Sequence, residues 1–131
     1  MARVVIMLAL TVLAASIPAR AQRKGKGNDS PCSAAVTTIE LNACFAKARE
    51  LADAQLNAAY EKIRGKLQAP DEERLVTAQR LWMQYREANC IAERELYAGG
   101  TAATTMYLSC LEAMARTRAK ELMLMYAARL Q

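Results

Sequence analysis

The sequence predicts an all-α fold: an antiparallel three-helix bundle with short connections, stapled by two disulfides. Three observations carry this prediction. Hydrophobic residues make up 53% of the 131 residues, led by the helix formers Ala, Leu and Met, and there are only 5 Gly and 3 Pro. Apolar residues recur in steps of three and four along three stretches. The 4 cysteines are enough for two bridges in an exported chain.

Residues 1–21 are predicted to be a secretory signal peptide. Arg3 precedes an uncharged apolar run, and Ala19-Arg20-Ala21 forms an A-x-A cleavage site. The run, VVIMLALTVLAASI, has 14 residues, whereas a helix that spans a membrane needs about 20. We therefore expect cleavage, a periplasmic or secreted mature chain, and no stable membrane anchor. Gln22 follows the cleavage site, so a lipid-bearing cysteine is not expected there.

The next segment, residues 22–31, is polar, contains Gly and ends in Pro, which is typical of a flexible basic linker. The folded domain is then predicted to span residues 32–131. From residue 32 onward, 13 basic residues stand against 12 acidic ones. A nucleic-acid binder carries a basic face on its folded domain, so this near-neutral balance predicts no nucleic-acid partner.

The absence of histidine from the 131 residues removes the commonest general base and the commonest zinc ligand. The cysteines form no C-x-x-C motif, and methionines at helical spacing are more often core residues than copper ligands. We therefore predict no catalytic residue, no metal site and no cofactor. A small carbohydrate-active enzyme using Asp53 is the least favoured alternative, because glycosidases need two carboxylates flanking a cleft.

The first predicted helix begins at a Thr37 or Thr38 cap and ends near Gln68-Ala69-Pro70, since proline cannot continue it. Its apolar positions are Leu41, Cys44, Phe45, Ala48, Ala52, Leu56, Ala59, Ile63 and Leu67. Short connections between long helices favour antiparallel neighbours.

The second predicted helix follows Pro70, with acidic residues at the positive end of its dipole, and stops before Gly99-Gly100. Its predicted packing stripe is Leu75, Ala78, Trp82, Tyr85, Asn89, Ala92 and Leu96. The third helix is expected to open at Thr101 or Thr104. Its stripe is Tyr107, Leu111, Met114, Arg118, Leu122 and Met125.

Folding the chain back at the two turns predicts which residues lie level across neighbouring helices, given the regular ~1.5 Å rise. Cys90 falls level with Cys110. This favours the pairs Cys90–Cys110 and Cys32–Cys44, the second joining the segment before the first helix to its second turn. The rival pairing, Cys44–Cys90 with Cys32–Cys110, is also sterically possible.

Several polar residues lie on or beside the apolar stripes, and such residues usually need partners there. The same levels place Asp53 beside Arg86 and Trp82 beside Arg118, which predicts an ion pair and a cation–π contact. We interpret the set as a structural polar network rather than a functional groove. Its members are Asp53, Asn57, Gln79, Trp82, Arg86 and Arg118.

An ordered set of motifs covers most of the domain. It comprises Cys32, Thr38-Ile39-Glu40-Leu41 and Cys44; Ala52-Asp53-x-x-Leu56-Asn57-x-x-Tyr60; Ala78-Gln79-x-x-Trp82-x-x-Tyr85-Arg86-x-x-x-Cys90; Gly99-Gly100-Thr101; Cys110-Leu111; and Arg118-x-x-x-Leu122. In order, spacing and cysteine placement this set resembles the LprI-like lysozyme-inhibitor family. Two positions depart from the family pattern: Thr101 stands where Ser is frequent, and Ala115 where Thr is frequent.

The resemblance implies an exported bacterial protein that binds a protein partner, a lysozyme, and occludes the cleft holding its two carboxylates. Candidate contacts are the turn residues Asp71, Glu72, Glu73, Gly99, Gly100 and Thr101, together with the basic linker. Lysozymes of hosts are basic as a class and the mature chain is net positive, so long-range attraction is not expected. The alternative is a non-catalytic structural or adaptor domain that binds another envelope protein.

Overall fold

The computed structural model describes residues 30–131, and within this range all regular structure is helical. Helix α1 spans Thr38–Arg64, α2 spans Asp71–Glu95 and α3 spans Ala103–Met125, with a short 3-10 turn at Ala127–Arg129. The predicted all-α fold with two disulfides is confirmed. The predicted signal peptide, residues 1–21, and all but the last two residues of the predicted linker lie outside the described residues.

Helix α1 begins with a capping box. The hydroxyl of Thr37 accepts from the backbone N–H of Glu40, and the Glu40 carboxylate accepts from the backbone N–H of Thr37. The helix ends at Arg64, and residues 65–70 form the connection to α2. The start of α1 is thus fixed by side chains, as the sequence predicted, whereas the helix ends six residues before Pro70.

Helix α3 opens differently from the prediction. Its N-cap is Ala102, without a side-chain cap, so neither Thr101 nor Thr104 occupies the capping position. Helix α2 ends at Glu95, and residues 96–102 form the second turn.

Helix α3 packs against both other helices, more extensively against α1. Its Thr105 hydroxyl donates to the Asn42 side chain near the starts of α3 and α1. Ile63 and Leu122, near the ends of the same two helices, belong to one cluster of buried apolar side chains, the main cluster of the core. Hence α1 and α3 run in one direction and α2 runs antiparallel to both.

The core differs from the prediction along α2. Its buried positions are Leu75, Gln79, Arg86 and Cys90, with Trp82 packed against the main cluster. Most of the predicted stripe lies to one side of this face, and five of its members are exposed to solvent: Ala78, Tyr85, Asn89, Ala92 and Leu96. The apolar spacing selected the wrong face because polar side chains on the true inner face find partners inside the bundle.

Candidate functional site

Arg86 is the polar residue that joins all three helices. Only 5% of it is exposed, and its Nη2 lies 2.7 Å from Asp53 Oδ1 of α1. The same Nη2 donates to the backbone carbonyl of Leu111 in α3, at 2.8 Å. The contact with Asp53 is a close ion pair without the alignment of a hydrogen bond, so its attraction is chiefly coulombic. Arg86 is tolerated in the core because its charge is paired there.

Two guanidinium groups of the network lie over the ring of Trp82. The Cζ atoms of Arg86 and Arg118 are 5.8 and 5.7 Å from its ring centroid. Arg118 Nε also donates to Gln79 Oε1, at 3.3 Å. Five of the six polar residues singled out from the sequence are thus brought together. Asn57 is exposed on α1 and takes no part in these contacts.

The Cys90–Cys110 disulfide crosses from α2 to α3, and Cys32–Cys44 ties the segment before α1 back to that helix. Their Cα separations are 5.6 and 5.8 Å, respectively. Asn89 Nδ2 donates to Cys110 Sγ, at 3.7 Å. The pairing is the one that the level argument favoured, so the rival pairing is excluded.

A second polar contact lies near this bridge. The Tyr107 hydroxyl donates to Glu87 Oε1 at 2.7 Å, and the guanidinium of Arg94 lies over its ring. The hydrogen bond to Glu87, with burial as the second cause, raises the pKa of Tyr107 above its usual value. Sequence reasoning missed this contact. Tyr107 lies five residues, more than one helical turn, from the position on α3 that is level with Glu87, so comparing levels did not pair these two residues.

The acidic turn residues are largely neutralised by neighbouring arginines. Asp71 Oδ1 lies 2.8 Å from Arg74 Nη1, and Glu72 Oε1 lies 2.9 Å from Arg64 Nε. Glu73 is exposed. This turn therefore presents much less net negative charge than the sequence of three consecutive acids suggests.

The turn between α2 and α3 has a different character. Gly99 has a φ of +80°, a conformation that favours glycine, and a Cβ added there would meet nothing within 4 Å. Gly100 and Thr101 are exposed beside it, and Leu96 is 81% exposed. The exposed start of α1, with Val36 and Ile39, lies at the same end of the bundle. An apolar, protruding end of this kind is suited to protein contact.

A shallow groove between α2 and α3 has a volume of about 340 Å³ and is lined by Trp82, Tyr85, Met114, Thr117 and Arg118, among others. Within residues 30–131 no set of three His, Cys, Asp or Glu side chains is arranged to hold a metal ion. Among the helices of residues 30–131, none combines the length and the hydropathy of a membrane-spanning segment.

Comparisons with known proteins agree with this architecture. The chain is 30% identical to an uncharacterized protein from Rhizobium meliloti strain 1021 over 124 residues, covering 85% of this chain and 86% of that protein. A crystal structure of a DUF1311 family protein from Pseudomonas putida KT2440 is similar, with 26% identity and a TM-score of 0.59. The match covers 63% of this chain and 87% of that one. The family model of the lysozyme inhibitor LprI matches residues 29–122, and the chain therefore belongs to the LprI family.

Proposed function

We propose that this chain is exported to the bacterial envelope and there binds a lysozyme, occluding its cleft without transforming a substrate. The observation that carries the proposal is the match to the lysozyme inhibitor LprI over residues 29–122. Two disulfides support an oxidising compartment outside the cytoplasm. The predicted signal peptide, residues 1–21, supplies the route.

Within this proposal, the α2–α3 turn is the better contact of the two turns. In the acidic turn, the carboxylates of Asp71 and Glu72 are already paired with Arg74 and Arg64. The turn therefore offers little electrostatic attraction to a basic lysozyme. The α2–α3 turn instead presents Leu96 and Gly99, and a Cβ added at Gly99 would meet nothing within 4 Å. An apolar turn of this kind can enter a cleft. Its apolar side chains, once buried against the lysozyme, would supply most of the binding energy.

The start of α3 adds an electrostatic reason. This helix has no side-chain cap at Ala102, so its first amide groups and the positive end of its dipole lie directly after the turn. The lysozyme cleft holds two carboxylates. A turn inserted into the cleft would bring this positive end toward them, even though the two proteins carry charge of the same sign overall.

The test is an inhibition assay with residues 22–131 against lysozymes of the c, g and i types. We expect near-stoichiometric protein to slow peptidoglycan lysis by at least one of them. Leu96→Asp should weaken inhibition about 10-fold or more, because it removes an apolar anchor. Leu124→Asp is the matched control: Leu124 is 79% exposed, but it lies near the opposite end of the bundle, and its variant should inhibit normally.

The outcomes separate the claims. If no lysozyme of the three types is slowed, the inhibitory function is wrong. If Leu96→Asp and Leu124→Asp inhibit as well as the parent chain, the function stands and the assignment of the turn is wrong.

A further inference from the structure

The apolar residues that α2 leaves outside the core form a continuous surface, which we call the outer stripe: Ala78, Leu81, Tyr85, Ala88 and Ala92. All five are exposed, and Leu81 and Tyr85 are 56% and 59% exposed. Their steps of three, four, three and four keep them on one side of the helix. We infer that the outer stripe is the surface on which two copies of this chain pair, with the two α2 helices antiparallel.

The opposite flank of α2 gives an internal comparison. It also has exposed or half-exposed apolar residues, but charged residues alternate with them: Val76, Arg80, Met83, Glu87, Ile91 and Arg94. Glu87 and Arg94 on that flank are engaged with Tyr107. The outer stripe contains no charge across its five positions. Removing it from water therefore carries no cost of stripping ions of their hydration.

The sizes of the stripe residues suit an antiparallel copy of the same helix. In the register that places Tyr85 against Ala88 of the second copy, Leu81 falls against Ala92 of that copy. Each large side chain then packs on a small one, and the twofold axis repeats both contacts. Alternation of large and small residues is what lets two facing helices approach closely.

The charged residues at the two ends of the outer stripe also favour an antiparallel arrangement of the two α2 helices. Arg74 lies beyond its N-terminal end and Glu95 beyond its C-terminal end, and both are exposed. Antiparallel pairing brings Arg74 of each copy toward Glu95 of the other, whereas parallel pairing brings like charges together. Each side chain already has a local partner, Asp71 and Arg94 respectively, so the pairs contribute more to orientation than to affinity.

The size of the surface predicts a weak dimer. Fifteen residues of helix span about 21 Å. The depression lined by Pro70, Thr77 and Leu81 borders the stripe at one end, and the groove lined by Tyr85 and Thr117 borders it further along α2. A contact limited to one helix face of this length belongs with the weak interfaces, which bury less than about 1,200 Å². The chain should therefore be monomeric when dilute and dimeric when concentrated.

Sedimentation equilibrium of the purified protein tests this from ~1 µM to ~1 mM, the Kd range of weak complexes. The mass should double across the range. Leu81→Lys should raise the dimer Kd about 10-fold or more. The matched control is Met83→Lys on the opposite flank, where Met83 is 47% exposed, and it should leave the Kd within about 2-fold. Ala88→Arg, which adds bulk opposite Tyr85 of the other copy, should act like Leu81→Lys.

Charge reversal tests the direction. Arg74→Glu and Glu95→Arg should each weaken the dimer, and the double variant R74E/E95R should recover at least half of the loss in logarithmic terms. A chain that stays monomeric throughout the range overturns the inference, and so does equal weakening by Leu81→Lys and Met83→Lys. Failure of the double variant to recover overturns the antiparallel arrangement.

Discussion

The two halves of the bundle are held together by different means. In the half nearer the α1–α2 turn, which we call the apolar half, the core is a cluster of aliphatic side chains: Leu56, Ile63, Leu67, Leu75 and Leu122. In the half nearer the α2–α3 turn, the cross-linked half, the buried cluster is Cys90, Cys110 and Leu111, and the Cys32–Cys44 bridge lies at the same end. Burial of side chains secures one half and covalent bonds secure the other.

The difference follows from where the sequence places its bulky apolar residues. Early in α1 the buried set contains only Phe45, and alanines occupy much of the same face. Across from it α2 presents Arg86, whose charge must be matched by Asp53. A small domain with so little apolar volume in one half gains stability from bridges that restrict the unfolded chain.

The largest expected effect comes from the apolar half. Leu122 is fully buried, and Leu122→Ala should lower the free energy of unfolding by about 4 kcal/mol, through lost burial and the cavity left behind. Urea denaturation followed by circular dichroism measures this. Leu124→Ala, on the exposed side of the same helix, should cost less than about 0.5 kcal/mol. Comparable costs for the two variants would mean that this half is not the main source of apolar stability.

The next effect comes from the cross-linked half. Replacing Cys90 and Cys110 together by Ala should cost about 3 kcal/mol, because the bridge closes a 20-residue separation. The same double replacement at Cys32 and Cys44, with a separation of 12 residues, should cost a few tenths of a kcal/mol less. Thermal melting of both variants, with and without dithiothreitol, gives the comparison. If the melting temperature of the parent chain is the same with and without dithiothreitol, the stabilising role assigned to the bridges is wrong.

The smallest expected effect concerns the capping box of Thr37 and Glu40 in the cross-linked half. Backbone N–H groups of Thr37 and Val36, with the Thr37 hydroxyl, lower the pKa of Glu40 below its ordinary value. A carboxyl whose pKa is lower in the folded state stabilises the fold above its unfolded pKa, about 4.3. That contribution is lost as the pH falls through the folded value.

Glu40→Gln should therefore destabilise the chain near pH 7 and converge with the parent chain as the pH falls well below 4. Urea midpoints measured from pH 2.5 to 7, in steps of about half a unit, test this. Glu50→Gln, which removes a carboxylate at an exposed position of the same helix outside the capping box, is the control variant. A constant gap between Glu40→Gln and the parent chain would contradict the ionic origin of the effect.

The fold could be predicted from the sequence because its main signals depend on local geometry. These signals are the spacing of apolar residues along each helix, the residues that form turns, and the height along the bundle at which each cysteine lies. Cys90–Cys110, Asp53–Arg86 and Trp82–Arg118 were each located by level alone. The inner face of α2 was missed for a physical reason. Spacing arguments assume that apolar residues are buried, whereas Gln79 and Arg86 are buried through paired charges and hydrogen bonds that only the assembled helices provide.

The candidate contact surfaces were less predictable. Three consecutive acids indicate a negative turn, but the partners Arg64 and Arg74 are found only once the chain folds around them. Leu96 was assigned to the core by its spacing and lies instead on the surface at the end of α2. Solvent exposure at the end of a helix depends on where the neighbouring helices stop, and the spacing of apolar residues within one helix does not contain that information.

The Cys90–Cys110 bridge spans the α2–α3 turn from both sides. A protease that cut the exposed chain at Gly99-Gly100 would break one peptide bond and release no fragment, since the sulfur link would still join what lies before the cut to what lies after it. The severed molecule would gain one water, remain a single covalent species under non-reducing conditions, and separate into two pieces only after reduction. The exposed turn can in this way be cut without the loss of a helix that the same cut would cause in a bundle lacking the bridge.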